Sequence, residues 1–180
     1  MIQFRKIKAN ELDLLYLSLH ELFGLENFKD LTENYEIIVG EGKWKEVFLI
    51  SDRLMKVFQK FKDYRNPYFM GLFLGDIKNE KFKISLPGLT LISNHIKNKT
   101  VLSDLGEKRV LYGRDLTKQD ISLFPPKIKK NDFSVLINEN KEVLALGKYL
   151  FDQQIIQRLK NDKKILKNII DKGWYLRRGK

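Results

Sequence analysis

Leu12, Leu15, Leu19 and Leu22 recur at helical spacing, and the stretch opens on Asn10-Glu11-Leu12-Asp13. Asn at a cap with an acidic residue three positions on, followed by Gly24 as a stop, predicts an amphipathic helix between them. The pattern then turns strand-like. Tyr35–Val39 and Trp44–Ile50 are rich in β-branched and aromatic residues and meet at Gly40-Glu41-Gly42, which predicts a hairpin. Ser51 next caps a predicted helix with Leu54, Met55, Phe58 and Phe61 on its buried side. Phe69–Gly75 and Lys81–Leu86 form another strand pair about Lys78-Asn79-Glu80, and a third helix is expected from about Leu89 to Ile96. Helices alternating irregularly with antiparallel strands make this half α+β.

From Lys99 onward the elements shorten. Val101–Leu102 and Val110–Leu111 flank a turn-rich Asp104-Leu105-Gly106-Glu107, and Arg114–Ile121 is expected to be a short helix ending before Pro125-Pro126. Phe133–Asn138 and Val143–Gly147 predict a second hairpin around Glu139-Asn140-Lys141. Turn signals every ten residues or so suggest a small barrel or rolled sheet. Ile155, Ile156 and Leu159 fit a brief helix. Ile165–Leu176 supports either period: Ile165, Leu166, Ile169 and Ile170 suit a helix, while their β-branching suits a strand.

The change of pattern near Lys99 divides the 180 residues into halves, 1–98 and 99–180, each of a size that folds as one domain. Charge divides with it. Residues 99–180 carry 19 Lys and Arg against 10 Asp and Glu, residues 1–98 only 15 against 13. Such imbalance is the footprint of a polyanion partner, because each cation meeting a phosphate releases a condensed counterion. The bland alternative is a solvated lysine-rich surface. No apolar run is long enough for a membrane span, and basic Met1–Ile7 leads into no signal-peptide core. The absence of cysteine removes disulfides, thiolate nucleophiles and zinc ribbons, and fits a reducing cytoplasm.

Catalytic chemistry has little to work with. His20 and His95 lie in predicted helices with no carboxylate or second His at ligand spacing. Gly40-x-Gly42 reads as a turn, and neither a nucleophile elbow nor a phosphate-binding glycine loop occurs. No enzyme activity, cofactor or metal is expected. The basic and aromatic residues carry more. Between Lys148 and Lys180 stand ten Lys or Arg against Asp152, Asp162 and Asp171, interleaved with Tyr149, Trp174 and Tyr175. Cations position phosphates, and aromatic faces stack unpaired bases. Core packing is the plain alternative for Trp174 and Tyr175, and a solvated tail for Arg177-Arg178-Gly179-Lys180.

Three segments resemble a PUA domain, the RNA-binding module named after pseudouridine synthases and archaeosine transglycosylases. They are Lys108-Arg109-Val110-Leu111-Tyr112-Gly113-Arg114-Asp115-Leu116, the Val143–Gly147 strand, and the closing Asp171-Lys172-Gly173-Trp174-Tyr175-Leu176-Arg177. Upstream, Ser51-x-x-Leu54-Met55-Lys56, then Gly71, Gly75 and Lys81-Phe82-x-Ile84, are similar to the pre-PUA half of the Nip-seven family, of archaeal type. Those proteins act in assembly of the large ribosomal subunit. The resemblance covers nearly the whole chain in element order. It implies a pseudo-barrel of short strands in residues 99–180 that binds RNA along the helix carrying Tyr112-Gly113-Arg114 and the strand end at Gly147-Lys148. It also implies strand plus short turn for Ile165–Leu176. Archaeal relatives place a basic cluster directly after that leucine-glycine strand. Here Tyr149, Leu150 and Phe151 follow Lys148, and the next cations are Arg158 and Lys160.

The resulting expectation is an α+β, two-domain, non-catalytic RNA-binding protein of the cytoplasm. It is a monomer without membrane association, concerned with ribosomal RNA or its precursor. Arg114, Lys118, Lys148, Arg158, Lys160, Lys163 and Lys164 would meet phosphates, with Arg177 and Arg178 as a second cationic group and Tyr149 as a stacking residue. The first half would dock ribosome-assembly or RNA-processing proteins through Leu12–Leu22 and the aromatics Tyr64, Tyr68 and Phe69. Two rivals stand beside this reading: an RNA-modification enzyme or its PUA-bearing accessory subunit, and a protein-interaction scaffold whose charge is incidental.

Overall fold

This computed structural model describes residues 2–25, 28, 33, 35–61, 67 and 69–177. The chain divides into two compact units, Met1–Ile92 and Ser93–Lys180.

In the first unit an antiparallel sheet runs in chain order through β1 (Gln3–Lys6), β2 (Tyr35–Glu41), β3 (Lys45–Ser51), β4 (Leu72–Lys78) and β5 (Lys81–Ile84). The β2–β3 hairpin pairs Glu41 with Lys45 across the Gly42–Trp44 loop. The β4–β5 hairpin turns at Asn79 and Glu80, both with positive φ. Helix α1 (Ala9–Phe23) buries Leu15 and Leu19 at the expected spacing and ends at Gly24 in the left-handed conformation. It starts earlier than its Asn10 cap predicts. Lys8 occupies the cap position, and Glu11 accepts the Lys8 backbone N–H at 3.1 Å. Ser51 does cap α2 (Asp52–Phe61), accepting from Leu54 N–H at 3.4 Å. Met55 and Phe58 pack on Ile38, Phe48, Ile50 and Met70, whereas Leu54 is exposed. The Phe61 side chain, Tyr64 and Tyr68 lie outside the described residues. Phe69 meets the Phe48 ring edge-on at 5.1 Å and still leaves half its surface exposed. Helix α3 (Leu86–Ile92) begins three residues sooner than expected, because Ser85 caps it through Gly88 N–H at 3.0 Å.

The second unit holds six strands, β6 (Lys99–Leu102), β7 (Leu116–Thr117), β8 (Ile121–Leu123), β9 (Phe133–Ile137), β10 (Val143–Tyr149) and β11 (Lys164–Asp171). Their order in the sheet is β7-β11-β10-β9-β6-β8. β7 and β8, at the two ends of that order, are joined by a single 3-10 turn at Lys118–Asp120, so the sheet curls into a nearly closed barrel. Only β6–β9 is parallel among the described pairs. Leu102, Val110, Leu116, Leu136, Ala145, Tyr149, Ile165 and Leu166 fill the barrel. The strand reading of Ile165–Leu176 is correct: β11 is followed by the single-turn α6 (Trp174–Arg177).

Two local expectations fail here. The turn-rich Asp104–Glu107 belongs to helix α4 (Asp104–Leu111), capped by Ser103 Oγ, which accepts Gly106 N–H at 3.2 Å. Gly106 marks a close approach rather than a turn, since a Cβ there would lie 2.0 Å from the Asp120 carbonyl oxygen. Arg114–Ile121 is not a helix. Buried Asp120 Oδ2 accepts Thr117 N–H and Thr117 Oγ1–H, each at 2.7 Å, and folds the segment into strand, 3-10 turn and strand. Among the described residues no helix is long and apolar enough to cross a membrane.

Candidate nucleic-acid interface

The expected phosphate-binding residues separate by what each side chain already touches. Lys148 sits at the end of β10, directly opposite Lys167 on β11 and Phe133 on β9. Its ammonium lies 5.4 Å from the centre of the Phe133 ring. Like charges facing each other across two strands cost up to about 1 kcal/mol unless an anion lies between them. Neither lysine forms an ion pair among the described residues, so the row Phe133–Lys148–Lys167 presents two uncompensated cations beside an aromatic face.

The turn after α4 adds to this row. Gly113 is left-handed at φ 75 and swings the chain from the helix into Arg114 and Asp115. Asp115 touches β11 twice, accepting Asn168 N–H at 3.1 Å and lying 3.5 Å from Lys164 Nζ. Arg114 is exposed beside it, and Tyr112 is 73% exposed. Tyr112-Gly113-Arg114 thus belongs to a turn anchored on the strand that carries Lys164 and Lys167, not to the helix body. Arg158 closes the short helix α5 (Gln153–Arg158), and Lys160 and Lys163 follow in the turn before β11, all exposed.

Three expected residues have other work. Tyr149 is fully buried. Its hydroxyl lies 2.7 Å from Thr100 Oγ1, which lies 2.8 Å from Ser134 Oγ, and burial pushes its pKa upward. A side chain enclosed in the barrel cannot stack a base; the expectation for Tyr149 is corrected, and Tyr112 is an exposed tyrosine of the same unit. Lys118 turns its ammonium onto the carbonyl oxygens of Gln157 and Leu159, at 3.2 and 3.1 Å, where it caps the end of α5. Arg177 forks onto Asp171 at 2.9 and 3.0 Å and donates to the Leu111 carbonyl, so its charge is compensated within the fold. Arg178 lies outside the described residues.

Sequence reasoning did not single out Lys167 or Phe133, and it named Tyr112 only as part of the element that the resemblance assigns to RNA. For Lys167 no simple alternation gave the signal: it follows buried Ile165 and Leu166 and precedes exposed Ile169, so β11 does not keep a strict period of two. For Phe133 the pairing register was needed, and no local pattern carries it.

A barrel whose terminal strands meet through a 3-10 turn, with a Tyr-Gly-Arg turn docked on its last strand, follows a separate sheet-and-helix unit. Two family profiles match this arrangement. The profile described as NIP7/UPF0113, pre-PUA domain, matches residues 4–86, and the UPF0113 PUA domain matches residues 98–180. The chain belongs to the NIP7/UPF0113 family. A UPF0113 protein of Archaeoglobus fulgidus is 27% identical over 151 residues, covering 84% of this chain and 83% of its own. Among solved structures, a conserved PUA domain protein from Thermoplasma acidophilum superposes with a TM-score of 0.65 at 15% identity, over 98% of this chain and 99% of that one. A hypothetical protein from Pyrococcus horikoshii gives 0.63 at 17% identity, over 97% and 99%. The likeness to these two structures is one of fold. The UPF0113 PUA half is the unit with the Phe133–Lys148–Lys167 row and the Arg114 turn.

Proposed function

We propose that this protein binds RNA through the second unit, along Arg114, Lys148 and Lys167, with Tyr112 and Phe133 as aromatic contacts and Lys164, paired with Asp115, at the margin. The observation that carries the proposal is the cross-strand Lys148–Lys167 pair, an electrostatic cost that a phosphate between them converts to a gain. Arg158, Lys160 and Lys163 extend the cationic surface at the turn before β11. The RNA is ribosomal RNA or its precursor, and the role is non-catalytic assembly of the large subunit by a cytoplasmic monomer, as membership of the NIP7/UPF0113 family favours. Residues 1–98 and 99–180 divide the work between protein docking and RNA affinity.

The docking surface is the outer side of α1. Leu17 there is 59% exposed and flanked by Asp13 and Glu21, at a groove of about 700 Å³ that continues over Leu22 and Phe82. An apolar groove with an acidic rim suits a basic, apolar segment of an assembly protein. The test of RNA binding is fluorescence anisotropy on the full chain with single-stranded and structured RNA. Affinity is expected to fall with a log–log salt slope of roughly −0.7 per phosphate contact on single strands. Lys148→Glu with Lys167→Glu is expected to weaken it more than about tenfold. Binding flat in salt, or unmoved by the double substitution, overturns the reading. For docking, full-length bait treated with nuclease should recover assembly proteins, and Leu17→Asp should lose them.

A further inference from the structure

Trp44 stands at the tip of the β2–β3 hairpin with 41% of its surface exposed. A large aromatic left in solvent on a three-residue loop contributes little to a core, and its neighbours are cations. Lys78 Nζ lies 3.6 Å from the centre of the indole and Lys43 Nζ 5.4 Å from it. Both cations lie within the distance at which an ammonium is held by a ring quadrupole. Lys78 flanks the neighbouring β4–β5 turn and pairs across it with Lys81, so a second like-charged cross-strand pair occurs here. Lys43, Lys78 and Lys81 form no ion pair among the described residues. Two of the nearby acids are taken. Glu11 is held by Arg5 and Lys45, at 2.7 and 2.8 Å, and Glu41 by Arg5 at 2.7 Å. Glu46 and Asp76 face each other across β3 and β4 without an ion pair among the described residues, and Glu80 stands at the turn itself. Between the two hairpin tips and α1 lies an open cleft of about 520 Å³, with Trp44, Lys43 and Lys78 in its wall.

We infer that this cleft is a nucleotide-binding site for single-stranded RNA in the first unit, separate from the face of the second unit and not dependent on it. The indole supplies a stacking surface for one unpaired base, and Lys43, Lys78 and Lys81 neutralise the phosphates on either side of that base. An acidic protein segment would use the lysines but would leave the exposed indole without a partner; a nucleotide uses both. The lysine ammonium over the ring holds the indole in place before binding and moves from the ring to the phosphate when a base stacks.

The chain has two tryptophans, so Trp174→Phe leaves Trp44 as the only indole emitter in the full-length protein. A uridine oligonucleotide of about eight residues should quench that emission in a saturable, salt-sensitive way. Trp44→Ala, and separately the pair Lys43→Glu with Lys78→Glu, should weaken binding of the same oligonucleotide about tenfold. The lysine pair keeps the indole and controls for misfolding, provided the thermal midpoint is unchanged. Quenching should persist in the Lys148→Glu, Lys167→Glu protein. If RNA binds by anisotropy while Trp44 emission is unmoved and its substitution is silent, this site is refuted and the face of the second unit stands. Quenching by oligoglutamate but not by oligouridylate would assign the cleft to an acidic protein segment and overturn the inference.

Discussion

Around Glu11 the first unit brings Arg5, Lys45 and the Lys8 backbone amide onto one buried carboxylate, 3% exposed. On β10 and β11 the second unit sets Lys148 against Lys167 with no carboxylate between. Both arrangements place two cationic side chains close together on neighbouring elements. In the first, the charges are consumed in holding α1 to the sheet; in the second, they meet no acid among the described residues. Net charge alone does not locate a binding face. What locates it is the difference between cations and the acids within reach of them. The same distinction separates Arg177, forked onto Asp171, from Arg114, which is exposed in its turn.

Tyr149 and Tyr112, both in the second unit, give the widest separation between structural and binding roles. Tyr149→Ala empties the centre of the barrel and leaves Thr100 short of a partner, so it should cost about 4 kcal/mol of stability. Tyr112→Ala removes an exposed ring and should leave stability within about 0.5 kcal/mol while weakening RNA binding by about 1–2 kcal/mol. Denaturant unfolding and anisotropy on both variants measure the contrast. A Tyr112 variant with full RNA affinity would remove that residue from the interface.

Next in size is the pH dependence of the Glu11 cluster. The Arg5 guanidinium, aided by Lys45 and the Lys8 amide, lowers the Glu11 pKa from 4.5 to about 2, against the opposing effect of burial. A carboxylate whose folded pKa is depressed contributes stability in full above its unfolded value. That contribution declines as pH falls and is gone below the folded value. The cluster should therefore supply about 3 kcal/mol near neutrality. The stability gap between the native chain and Glu11→Gln should shrink steadily from about pH 5 towards pH 2. A gap constant over that range would mean the carboxylate is not charged in its pocket.

Long periodic segments were legible in the sequence. Leu12–Leu22 keeps a helical period throughout, and Tyr35–Ile50 shows β-branched and aromatic runs parted by Gly40-Glu41-Gly42; α1, β2 and β3 form there. The region 104–123 was not, because its elements are fixed by contacts distant in sequence. Gly106 is helical where local chemistry suggests a turn, since Asp120 must approach it. Thr117–Asp120 is a 3-10 turn because Asp120 is buried and collects the amide and hydroxyl hydrogens of Thr117. The candidate face followed the same rule. Arg114 and Lys148 could be named from the residues around them. Lys167 and Phe133 acquire meaning only through the register that puts them on either side of Lys148. Tyr149 sits beside a candidate cation in sequence, but strand alternation points it into the barrel.

A smaller effect, but one with opposite signs in two measurements, tests whether the lysine pair is kept for binding. Lys167→Glu creates an opposite-charge cross-strand pair with Lys148 and should raise stability by about 0.5 kcal/mol. The same substitution should weaken RNA binding at least about tenfold at moderate salt, with a shallower salt slope. Stability and affinity moving together would show the pair to be an ordinary part of the fold. Movement in opposite directions is what a binding surface maintained against its own repulsion produces.

The smallest effect concerns Lys118, which sequence reasoning grouped with the phosphate-binding residues. Its ammonium donates to the Gln157 and Leu159 carbonyls, at the end of a helix only six residues long. Those carbonyls have no later turn of helix to satisfy them, and a cation there also meets the negative end of the helix dipole. Lys118→Met keeps most of the stem and removes both interactions, so stability should fall by about 0.5–1 kcal/mol. A lysine whose donors already point at the protein has less to offer a phosphate, and RNA affinity should change less than about twofold. Lys148→Met should do the reverse: it relieves the repulsion from Lys167, so the melting transition should hold or rise while affinity falls. If Lys118→Met weakens RNA binding as much as Lys148→Met does, the ammonium leaves α5 when RNA arrives. Pairing within the free protein would then no longer separate binding cations from structural ones.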